Sequence, residues 1–381
     1  MVTWLHEAPQ TDAEAASALA DAATRGQPIR IVGGGTKLGW GRPVESGVIE
    51  LHTSSLDGIL AHNAGDLTAS LQAGVPLAVA QRAFAAAGQR LALDPPLGDH
   101  PGATIGGIVA TGDSGPLRHR YGAPRDLVVG ATVALSDGTI ARSGGTVIKN
   151  VAGYDLAKLF AGSFGTLGLI LSVNVRLHPL PEDGATTLGA SDDPEVIAGA
   201  ATALAAAPLD FEGLDVAWRQ GRGGLLARCV GAQAARRARR TAGLMAELGL
   251  EQVDVSTEDE ALWERQRAGQ RSRDGALVRL AAPPSALAAV LRAAQSCEGT
   301  VVGRAALGTS YVELEPGAIG QLRARLPGPT VATVLDAPEE VRSAHDPWGV
   351  RERSALALMH RVKERFDPAG ICNPGLFVDG I

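Results

Sequence analysis

Three glycine-rich segments stand out as places where this chain could bind a ligand through its backbone. They are GGGTKLGWG (residues 33–41), HPGATIGGIVATGDSG (100–115) and GSFGTLG (162–168). Glycine permits positive φ and lets another molecule approach the backbone closely. Each segment lies beside an apolar run, so we expect a fold that places backbone amides around a long anionic ligand.

Each segment also has an ordinary structural explanation when it is taken alone. The first follows a predicted strand, and its consecutive amides could form an anion-binding nest for a pyrophosphate, with Lys37 adding positive charge. It fits neither G-x-x-x-x-G-K-[ST] nor G-x-G-x-x-G, because no long helix opens directly after it. A simple glycine turn is the better explanation of this segment alone. A tightly packed chain crossing explains the second segment as well as a ligand does.

Composition and charge exclude several classes of protein. The 381 residues carry a net charge of −6, which argues against a nucleic-acid surface. Cys229, Cys297 and Cys372 form no C-x-x-C pair, so we expect no disulfide framework and no cysteine-ligated cluster. The sequence contains no apolar run of transmembrane length and no signal-peptide pattern at its start. We therefore expect a soluble, cytoplasmic protein that would contact a membrane only through partners.

The elements around the glycine-rich segments mix helices and strands. The pattern predicts a helix over residues 11–25, strands over 28–32 and 48–51, and a helix over 76–88. The Asp137-Gly138 pair between two β-rich runs predicts a hairpin turn. The first half of the chain is therefore expected to hold its ligand-binding segments between strands and helices.

The character of the sequence changes at residues 180–184, where glycine-rich loops give way to alanine-rich helices. From about residue 193 to residue 335, helices and strands alternate in a repeated βαβ-like order. This order predicts a compact sheet with helices on one face, as in ferredoxin-like units. The chain is thus expected to be α+β, with three parts: residues 1–182, a cap over 183–340, and a C-terminal helix and NPG segment over 341–381 that returns to the first part.

Five segments keep the order and spacing of a known family. Besides GGGTKLGWG they are PPLGDHPGATIGGIVATGDSGP, YGAPRDLVVGATVALSDGTI, GGTVIKNVAGYDLAKLFAGSFGTLGLI and RVKERFDPAGICNPG. Together they resemble the vanillyl-alcohol-oxidase/PCMH-type FAD-linked oxidases, and among these the glycolate oxidase subunits. The resemblance covers residues 30–180 and 361–375, whereas the middle of the chain is similar only in architecture.

The resemblance implies a PCMH-type two-subdomain fold that binds FAD, with the pyrophosphate on the first two glycine-rich segments. It also implies a ferredoxin-like α+β cap over the isoalloxazine ring. Carried over position by position, the implied FAD contacts are Gly33, Gly34, Gly35, Thr36, Lys37, Leu38, Pro95, Gly102, Ala103, Gly106, Gly107, Thr111, Gly115, Gly168, Ile170 and Asn373.

The chain departs from the family in ways that narrow the implied function. Covalent members supply a histidine in the first segment, where this chain has Thr36 and Lys37, so the resemblance implies non-covalent FAD. The catalytic 2-hydroxy-acid dehydrogenases carry H-G-D-G-N-x-H, which is absent here, so no metal site is expected. They also read GSEGT where this chain reads GSFGT (162–166). A shorter chain without the metal histidines is similar to the E-type FAD-binding subunit of glycolate oxidase, which implies a larger FAD-containing catalytic subunit and an iron–sulfur subunit as partners.

The remaining polar candidates for catalysis are single residues. His345 and His360 could act as bases near the ring, although a lone histidine is more often a packing or surface residue. Arg279 and Arg304, on predicted cap strands, could clamp a carboxylate, although a surface position is the more ordinary expectation. No Ser/His/Asp constellation stands out, so the catalytic group stays unassigned.

Three functions fit these observations. The preferred one is the FAD-binding subunit of a complex that oxidises glycolate, or another 2-hydroxy acid, to the 2-oxo acid. The second is a self-sufficient FAD-dependent oxidase or dehydrogenase of another alcohol or hydroxy acid. The third is a structural flavin-binding subunit that does not turn over by itself.

Overall fold

The computed structural model describes residues 5–44, 47–97, 102–146, 154–350 and 352–381. The strands are β1 Leu5–Glu7, β2 Ile29–Val32, β3 Ile49–His52, β4 Ile59–Asn63, β5 Thr68–Gln72, β6 Gln89–Arg90, β7 Val128–Ala134, β8 Ile140–Gly144, β9 Leu169–Arg176, β10 His178–Pro179, β11 Gly184–Ser191, β12 Gly213–Arg219, β13 Arg222–Val230, β14 Glu251–Ser256, β15 Ala276–Ala281, β16 Thr300–Arg304, β17 Thr309–Leu314 and β18 Val331–Val334. The helices are α1 Asp12–Arg25, α2 Leu77–Ala85, α3 Ile105–Thr111, α4 Arg118–Tyr121, α5 Pro124–Leu127, α6 Ala157–Phe160, α7 Pro194–Ala206, α8 Ala234–Glu247, α9 Glu260–Ala268, α10 Leu287–Gln295, α11 Ile319–Arg325, α12 Glu339–Ala344 and α13 Arg353–Phe366.

The first part of the chain builds a small parallel sheet in the order β1-β3-β2, covered by α1. The predicted helix over 11–25 is confirmed, and its ends follow from local chemistry. The Thr11 hydroxyl accepts a hydrogen bond from the Glu14 N–H, and Gly26 ends the helix with φ +60°. Leu19 and Leu51 are fully buried where α1 packs on the sheet.

A five-stranded antiparallel sheet, in the order β4-β5-β9-β7-β8, forms the second layer. The predicted hairpin is confirmed, because β7 pairs antiparallel with β8 around the Asp137-Gly138 turn. The sheet packs on Phe84 of α2 and on Ile105 and Ile108 of α3, which are buried in one core with Val173. This core fixes the elements on which the glycine-rich segments end.

The second glycine-rich segment differs from the loop that the sequence predicted. Residues 105–111 form the helix α3, because Ile105, Ile108 and Val109 bury one face while Thr104 and Gly112 cap its two ends. The glycines that suggested a loop are tolerated because that face packs closely on the β5 end of the sheet. Residues 100 and 101 at the start of this segment, and residues 147–153 of the family-like segment that begins at Gly144, lie outside the described residues.

The rest of the chain forms an eight-stranded antiparallel sheet, in the order β14-β11-β13-β12-β16-β17-β15-β18. It reads as two βαββαβ units joined at β12 and β16, the first built from β11, α7, β12, β13, α8 and β14, and the second from β15, α10, β16, β17, α11 and β18. The predicted helical layer on one face is confirmed, because α7, α8, α10 and α11 share one core with the sheet. The prediction missed β11, since GATTLGAS has little apolar character.

The C-terminal segment returns to the first part of the chain. Val362 and Phe366 of α13 pack against the core of the five-stranded sheet, and Ile371 and Cys372 are buried against β2. Lys363 fixes this return, donating hydrogen bonds to the carbonyl oxygens of Thr166 (2.8 Å) and Cys372 (2.9 Å). We propose domain boundaries at residues 182 and 340, because β10 ends at Pro179 and β11 begins the eight-stranded sheet, whose last strand in the chain, β18, ends at Val334.

Candidate cofactor site

A deep cleft lies where β2, the first glycine-rich segment, α3, the 162–168 turn and the C-terminal segment meet. It encloses about 850 Å³, including the space that is open to solvent. Twelve of the predicted contact residues line it: Gly33, Gly34, Gly35, Thr36, Lys37, Leu38, Gly106, Gly107, Thr111, Gly168, Ile170 and Asn373. Arg30, Trp40 and Phe164 also line it, and the sequence had not singled them out as contacts.

The first glycine-rich segment offers a row of unpaired backbone donors. Within the described part of the chain, no hydrogen bond engages the N–H groups of residues 33–37, all of which line the cleft. Gly35 has φ +72°, which turns the chain so that successive amides converge. Unpaired backbone donors of this kind need an acceptor, so the segment is suited to bind an anion.

The second segment contributes a wall and not a set of amide donors. The N–H of Ile105 is bound to the Val75 carbonyl (2.9 Å), that of Gly106 to the Ala73 carbonyl (2.8 Å) and that of Gly107 to the Thr104 hydroxyl (3.3 Å). These amides are therefore already satisfied by the protein. What α3 provides is a smooth surface of small residues along which a ligand can lie.

The glycines of the two segments have different packing roles. An added Cβ at Gly34 would overlap the Gly102 carbonyl oxygen, and one at Gly106 would lie 2.6 Å from the Ala73 Cβ. At Gly107, by contrast, an added Cβ would meet only the Thr104 hydroxyl, at 3.2 Å. Gly34 and Gly106 thus serve the packing of the walls, whereas Gly107 leaves space in the cleft itself.

Four predicted contact residues lie outside the cleft lining. Pro95 and Ala103 are buried, and Gly102 adopts φ +91° beside Gly34. Gly115 packs on the backbone of Asp94. Burial raises the pKa of the Asp94 carboxyl group to about 7. These residues support the walls of the cleft, so we do not carry them into the proposed set of cofactor contacts.

One buried ion pair involves Lys37 of the first glycine-rich segment. The Lys37 ammonium lies 3.2 Å from the Asp113 carboxylate, and both side chains are largely buried. The same ammonium lies 5.6 Å from the centroid of the Trp40 ring, within reach of a cation–π interaction. The Trp40 indole N–H donates to the Asp336 carboxylate (2.8 Å) of the eight-stranded part, which ties the first segment to the cap.

An aromatic cluster occupies the junction between the cleft and the cap. Phe164 lies 4.8 Å from Trp348 and 5.4 Å from Phe377, and the last two rings lie 4.6 Å apart, measured between centroids. Phe164 holds φ +55° at the position where the family pattern has glutamate. The cluster makes this end of the cleft apolar. The sequence analysis noted the GSFGT segment that contains Phe164 but did not predict the cluster.

Asn373 joins three walls of the cleft. Its side-chain oxygen accepts from the Ile31 N–H (2.8 Å), and its side-chain amide donates to the Phe164 carbonyl (2.6 Å). The residue is buried and adopts φ +44°, a conformation that asparagine tolerates better than most residues. The terminal NPG motif therefore holds the cleft together, besides lining it.

The two histidine candidates do not reach the cleft. His345 is exposed at the end of α12, and His360 pairs with Asp379 at 3.0 Å, with 42% of its side chain exposed. Neither is among the residues that line the site. The structure therefore describes both histidines as surface residues outside the cleft.

The two arginine candidates differ in their burial and in their partners. The prediction that Arg304 lies at the surface is wrong, because only 2% of this residue is exposed. Its guanidinium lies 3.3 Å from the Asp215 carboxylate and donates a hydrogen bond to the Gln270 side chain (2.8 Å), between the sheet and α9. Arg279 is part-buried beside Tyr311 on the neighbouring strand, and in the described residues no hydrogen bond or ion pair of Arg279 is seen. Burial, together with the Asp113 carboxylate, raises the pKa of Tyr311 above its usual value.

Residues 7–144 match the family described as "FAD binding domain", and residues 343–376 match "FAD linked oxidases, C-terminal domain". The two matches contain the first two glycine-rich segments and the NPG motif, the same parts that meet at the cleft. The chain therefore contains an FAD-binding domain and a C-terminal domain of the FAD-linked oxidase type. FAD is therefore its cofactor.

The cleft of this chain fits that cofactor. Unpaired amides at residues 33–37 suit the pyrophosphate, and the small residues of α3 leave a flat wall for the rest of the molecule. Among the lining residues that the structure describes there is no histidine and no cysteine, and the non-covalent attachment of FAD stays a prediction.

Several curated proteins are similar to parts of this chain. The glycolate oxidase subunit GlcE of Escherichia coli is 38% identical over 40% of this chain and 43% of its own length. The glycolate oxidase subunit GlcD of Bacillus subtilis is 37% identical over 49% and 40%. The chain thus aligns with less than half of either protein. An uncharacterized FAD-linked oxidoreductase of Mycobacterium tuberculosis is 28% identical over 97% of this chain and 89% of its own.

Solved structures share the fold. An alkyldihydroxyacetonephosphate synthase superposes with a TM-score of 0.70 at 14% identity, covering 97% of this chain and 75% of the other. A chitooligosaccharide oxidase does so with a TM-score of 0.68 at 16% identity, covering 96% and 89%. In the part of the chain that the structure describes, none of the helices combines the length and apolar character needed to span a membrane.

Proposed function

We propose that this chain is the FAD-binding subunit of a complex that oxidises glycolate, or a closely related 2-hydroxy acid, to the 2-oxo acid. The observation that carries the proposal is the cleft itself, whose unpaired amides at residues 33–37 lie in the region that matches the FAD-binding domain. The proposed partners are a larger FAD-containing catalytic subunit and an iron–sulfur subunit. The similarity to two proteins named as glycolate oxidase subunits supports a role in a complex.

The proposed task of the chain's own residues is to hold FAD rigidly and keep water away from it. When bound, FAD supplies the acceptor for a hydride or for electrons, and the protein supplies position and environment. The amides of residues 33–37 bind the pyrophosphate, and Lys37, although paired with Asp113, adds positive charge nearby. Phe164 and Trp40 shield the inner end of the cleft.

Features of the cap side support a subunit over a complete enzyme. None of the described residues that line the cleft comes from the eight-stranded part. Phe164, Trp348 and Phe377 pack against one another at the junction, with Tyr311 and Leu277 of the cap in the same buried cluster. An alcohol oxidation needs a base for the hydroxyl proton and a cation for the carboxylate. A partner that supplies these groups would complete the site.

One observation favours a second candidate, a self-sufficient FAD-dependent dehydrogenase. Arg279 lies on the face of the cap sheet that turns toward the FAD-binding part, opposite Tyr311, and its guanidinium has no described partner. Such a group could bind a substrate carboxylate. This candidate requires the aromatic cluster to open so that substrate can reach the ring.

An anaerobic reduction experiment distinguishes the two candidates. The chain is purified alone, loaded with FAD and mixed with glycolate and a panel of 2-hydroxy acids, while flavin absorbance is recorded. The same measurement is repeated on the complex isolated from the native host. We expect the flavin of the isolated chain to stay oxidised and that of the complex to bleach with glycolate.

The other outcomes have clear meanings. Bleaching of the isolated chain by a hydroxy acid would replace the subunit proposal with the self-sufficient enzyme, and Arg279→Leu should then raise KM. A chain that binds FAD but never associates with other flavin or iron–sulfur proteins in its host would contradict the complex. A colourless chain that ignores added FAD would refute the assignment of the cleft.

A further inference from the structure

A cluster of two histidines and one glutamate lies on the small parallel sheet, and neither the cofactor site nor the sequence patterns assign it a role. His6 belongs to β1, whereas Glu50 and His52 belong to β3. Residues two apart on a strand point to the same face, and His6 pairs directly with Glu50 in the parallel register. The fold therefore brings three potential metal ligands together from segments more than 40 residues apart.

The ligand atoms have the spacing of a tetrahedral metal site. His6 Nδ1 lies 3.2 Å from His52 Nε2, His52 Nε2 lies 3.1 Å from Glu50 Oε2, and His6 Nδ1 lies 3.4 Å from Glu50 Oε2. Bonds of 2.0–2.1 Å to zinc place tetrahedral ligands about 3.3 Å apart, since the edge of a tetrahedron is about 1.63 times the distance from its centre. The three atoms already form one face of such a tetrahedron.

Protons alone satisfy this cluster poorly. Two imidazole nitrogens and a carboxylate oxygen converge on one point. If one of these nitrogens is unprotonated, its lone pair faces the carboxylate, so both imidazoles can hydrogen-bond Glu50 only if both donate to the same oxygen. That arrangement leaves the two N–H groups side by side at 3.2 Å. A divalent cation at the centre would instead satisfy all three ligands at once.

The surroundings support a site with an open position. The other Glu50 oxygen, Oε1, faces the Arg30 guanidinium at 3.8 Å, which orients the carboxylate and leaves Oε2 for a metal. The His6 side chain is 60% exposed, so water can reach the fourth position. Imidazole and carboxylate ligands in tetrahedral geometry favour Zn²⁺ among the common divalent ions.

We propose that His6, Glu50 and His52 bind a divalent transition-metal ion, Zn²⁺ foremost, through three protein ligands and water. The site stands on these side chains and does not depend on the proposed function of the FAD cleft. Arg30 connects the site with that cleft, because it lines the cleft, lies 3.8 Å from Glu50 and donates to the Leu38 carbonyl (2.8 Å) of the first glycine-rich segment.

Calorimetry with zinc chloride tests the proposal on the untagged, chelator-treated full chain. The matched variants are His6→Ala, Glu50→Gln and His52→Ala, and the control is His345→Ala, which removes an exposed histidine elsewhere. We expect the wild type and the control to bind one Zn²⁺ with equal affinity, and each cluster variant to bind at least about tenfold more weakly. Far-ultraviolet circular dichroism establishes that the variants remain folded.

A second measurement reports the geometry. Co²⁺ added to the deflavinated protein should give the intense visible bands of a four-coordinate site in the wild type and in His345→Ala, but not in His52→Ala. Absence of Zn²⁺ binding to the wild type would overturn the proposal, and so would equal binding by all the cluster variants. Weak Co²⁺ bands typical of octahedral coordination would overturn the tetrahedral geometry.

Discussion

Replacing Asn373 by alanine should destabilise the protein strongly, although the change removes only a small polar group. The truncation leaves the Ile31 N–H and the Phe164 carbonyl without their partners in a buried place. Each unsatisfied buried group costs about 1–3 kcal/mol, so the two together cost about 2–6 kcal/mol. The conformation at φ +44° adds about 1 kcal/mol, because alanine lacks the tolerance of asparagine there.

The assay is guanidinium denaturation of the FAD-free protein, followed by circular dichroism, so that ligand binding does not contribute to the measured free energy of unfolding. The matched control is Asn63→Ala, an exposed asparagine whose side chain caps no helix. We expect the control to lie within about 0.5 kcal/mol of the wild type. A loss of less than about 1 kcal/mol for Asn373→Ala would refute the reasoning that this residue joins the cleft walls.

Three further predictions concern the C-terminal segment and the thiols. Lys363→Met should cost about 3–5 kcal/mol in the same denaturation assay, because it leaves the buried Asp367 carboxylate without its 2.6 Å partner. Although burial pulls it upward, the pKa of Asp367 is held below its usual 3.8 by Lys363 and by the Cys372 N–H. The stability that this carboxylate contributes is therefore present above pH 3.8 and lost as the pH falls through the lowered pKa. Denaturation measured from about pH 5 down to about pH 2 should show a flatter pH dependence for Asp367→Asn, and an unchanged slope would contradict this. Cys229, Cys297 and Cys372 are all buried, so Ellman's reagent should titrate none of them quickly in the native protein and all three after denaturation; fast labelling of the native state would contradict the packing.

Most of the elements were predicted correctly, because their ends are set by residues that lie next to one another in the sequence. Thr11 and Gly26 mark the ends of α1, and the Asp137-Gly138 pair supplies the positive φ that a hairpin turn needs. The α3 helix was missed because its glycines outweighed its apolar spacing. Ile105, Ile108 and Val109 follow helical spacing between Thr104 and Gly112, and that pattern could have predicted the helix.

The family resemblance predicted the residues that meet at the cleft, but it did not predict that the two glycine-rich segments have different roles there. Sequence alone does not show that the amides of Gly106 and Gly107 are already bound by Ala73 and Thr104, since these contacts depend on packing between segments. The same holds for Arg304, whose buried pairing with Asp215 crosses two strands. The sequence analysis expected no metal site and did not find the histidine and glutamate cluster, because His6 and Glu50 become neighbours only through the pairing of β1 with β3.

The most direct test of the central claim, that the cleft holds FAD along α3, is an equilibrium titration of FAD into three deflavinated proteins. These are the wild type, Gly107→Val and Gly199→Val. Gly107 is a helical glycine beside the cleft, and Gly199 is an exposed helical glycine of α7 with open space around it. Both substitutions change helix propensity alike, so they differ mainly in whether the new side chain enters the cleft.

We predict that the wild type and Gly199→Val bind one FAD with equal affinity, while Gly107→Val binds it at least about tenfold more weakly, a difference of about 1.4 kcal/mol or more. Equal FAD affinity for Gly107→Val and Gly199→Val, or a wild-type chain that binds no FAD, would contradict it.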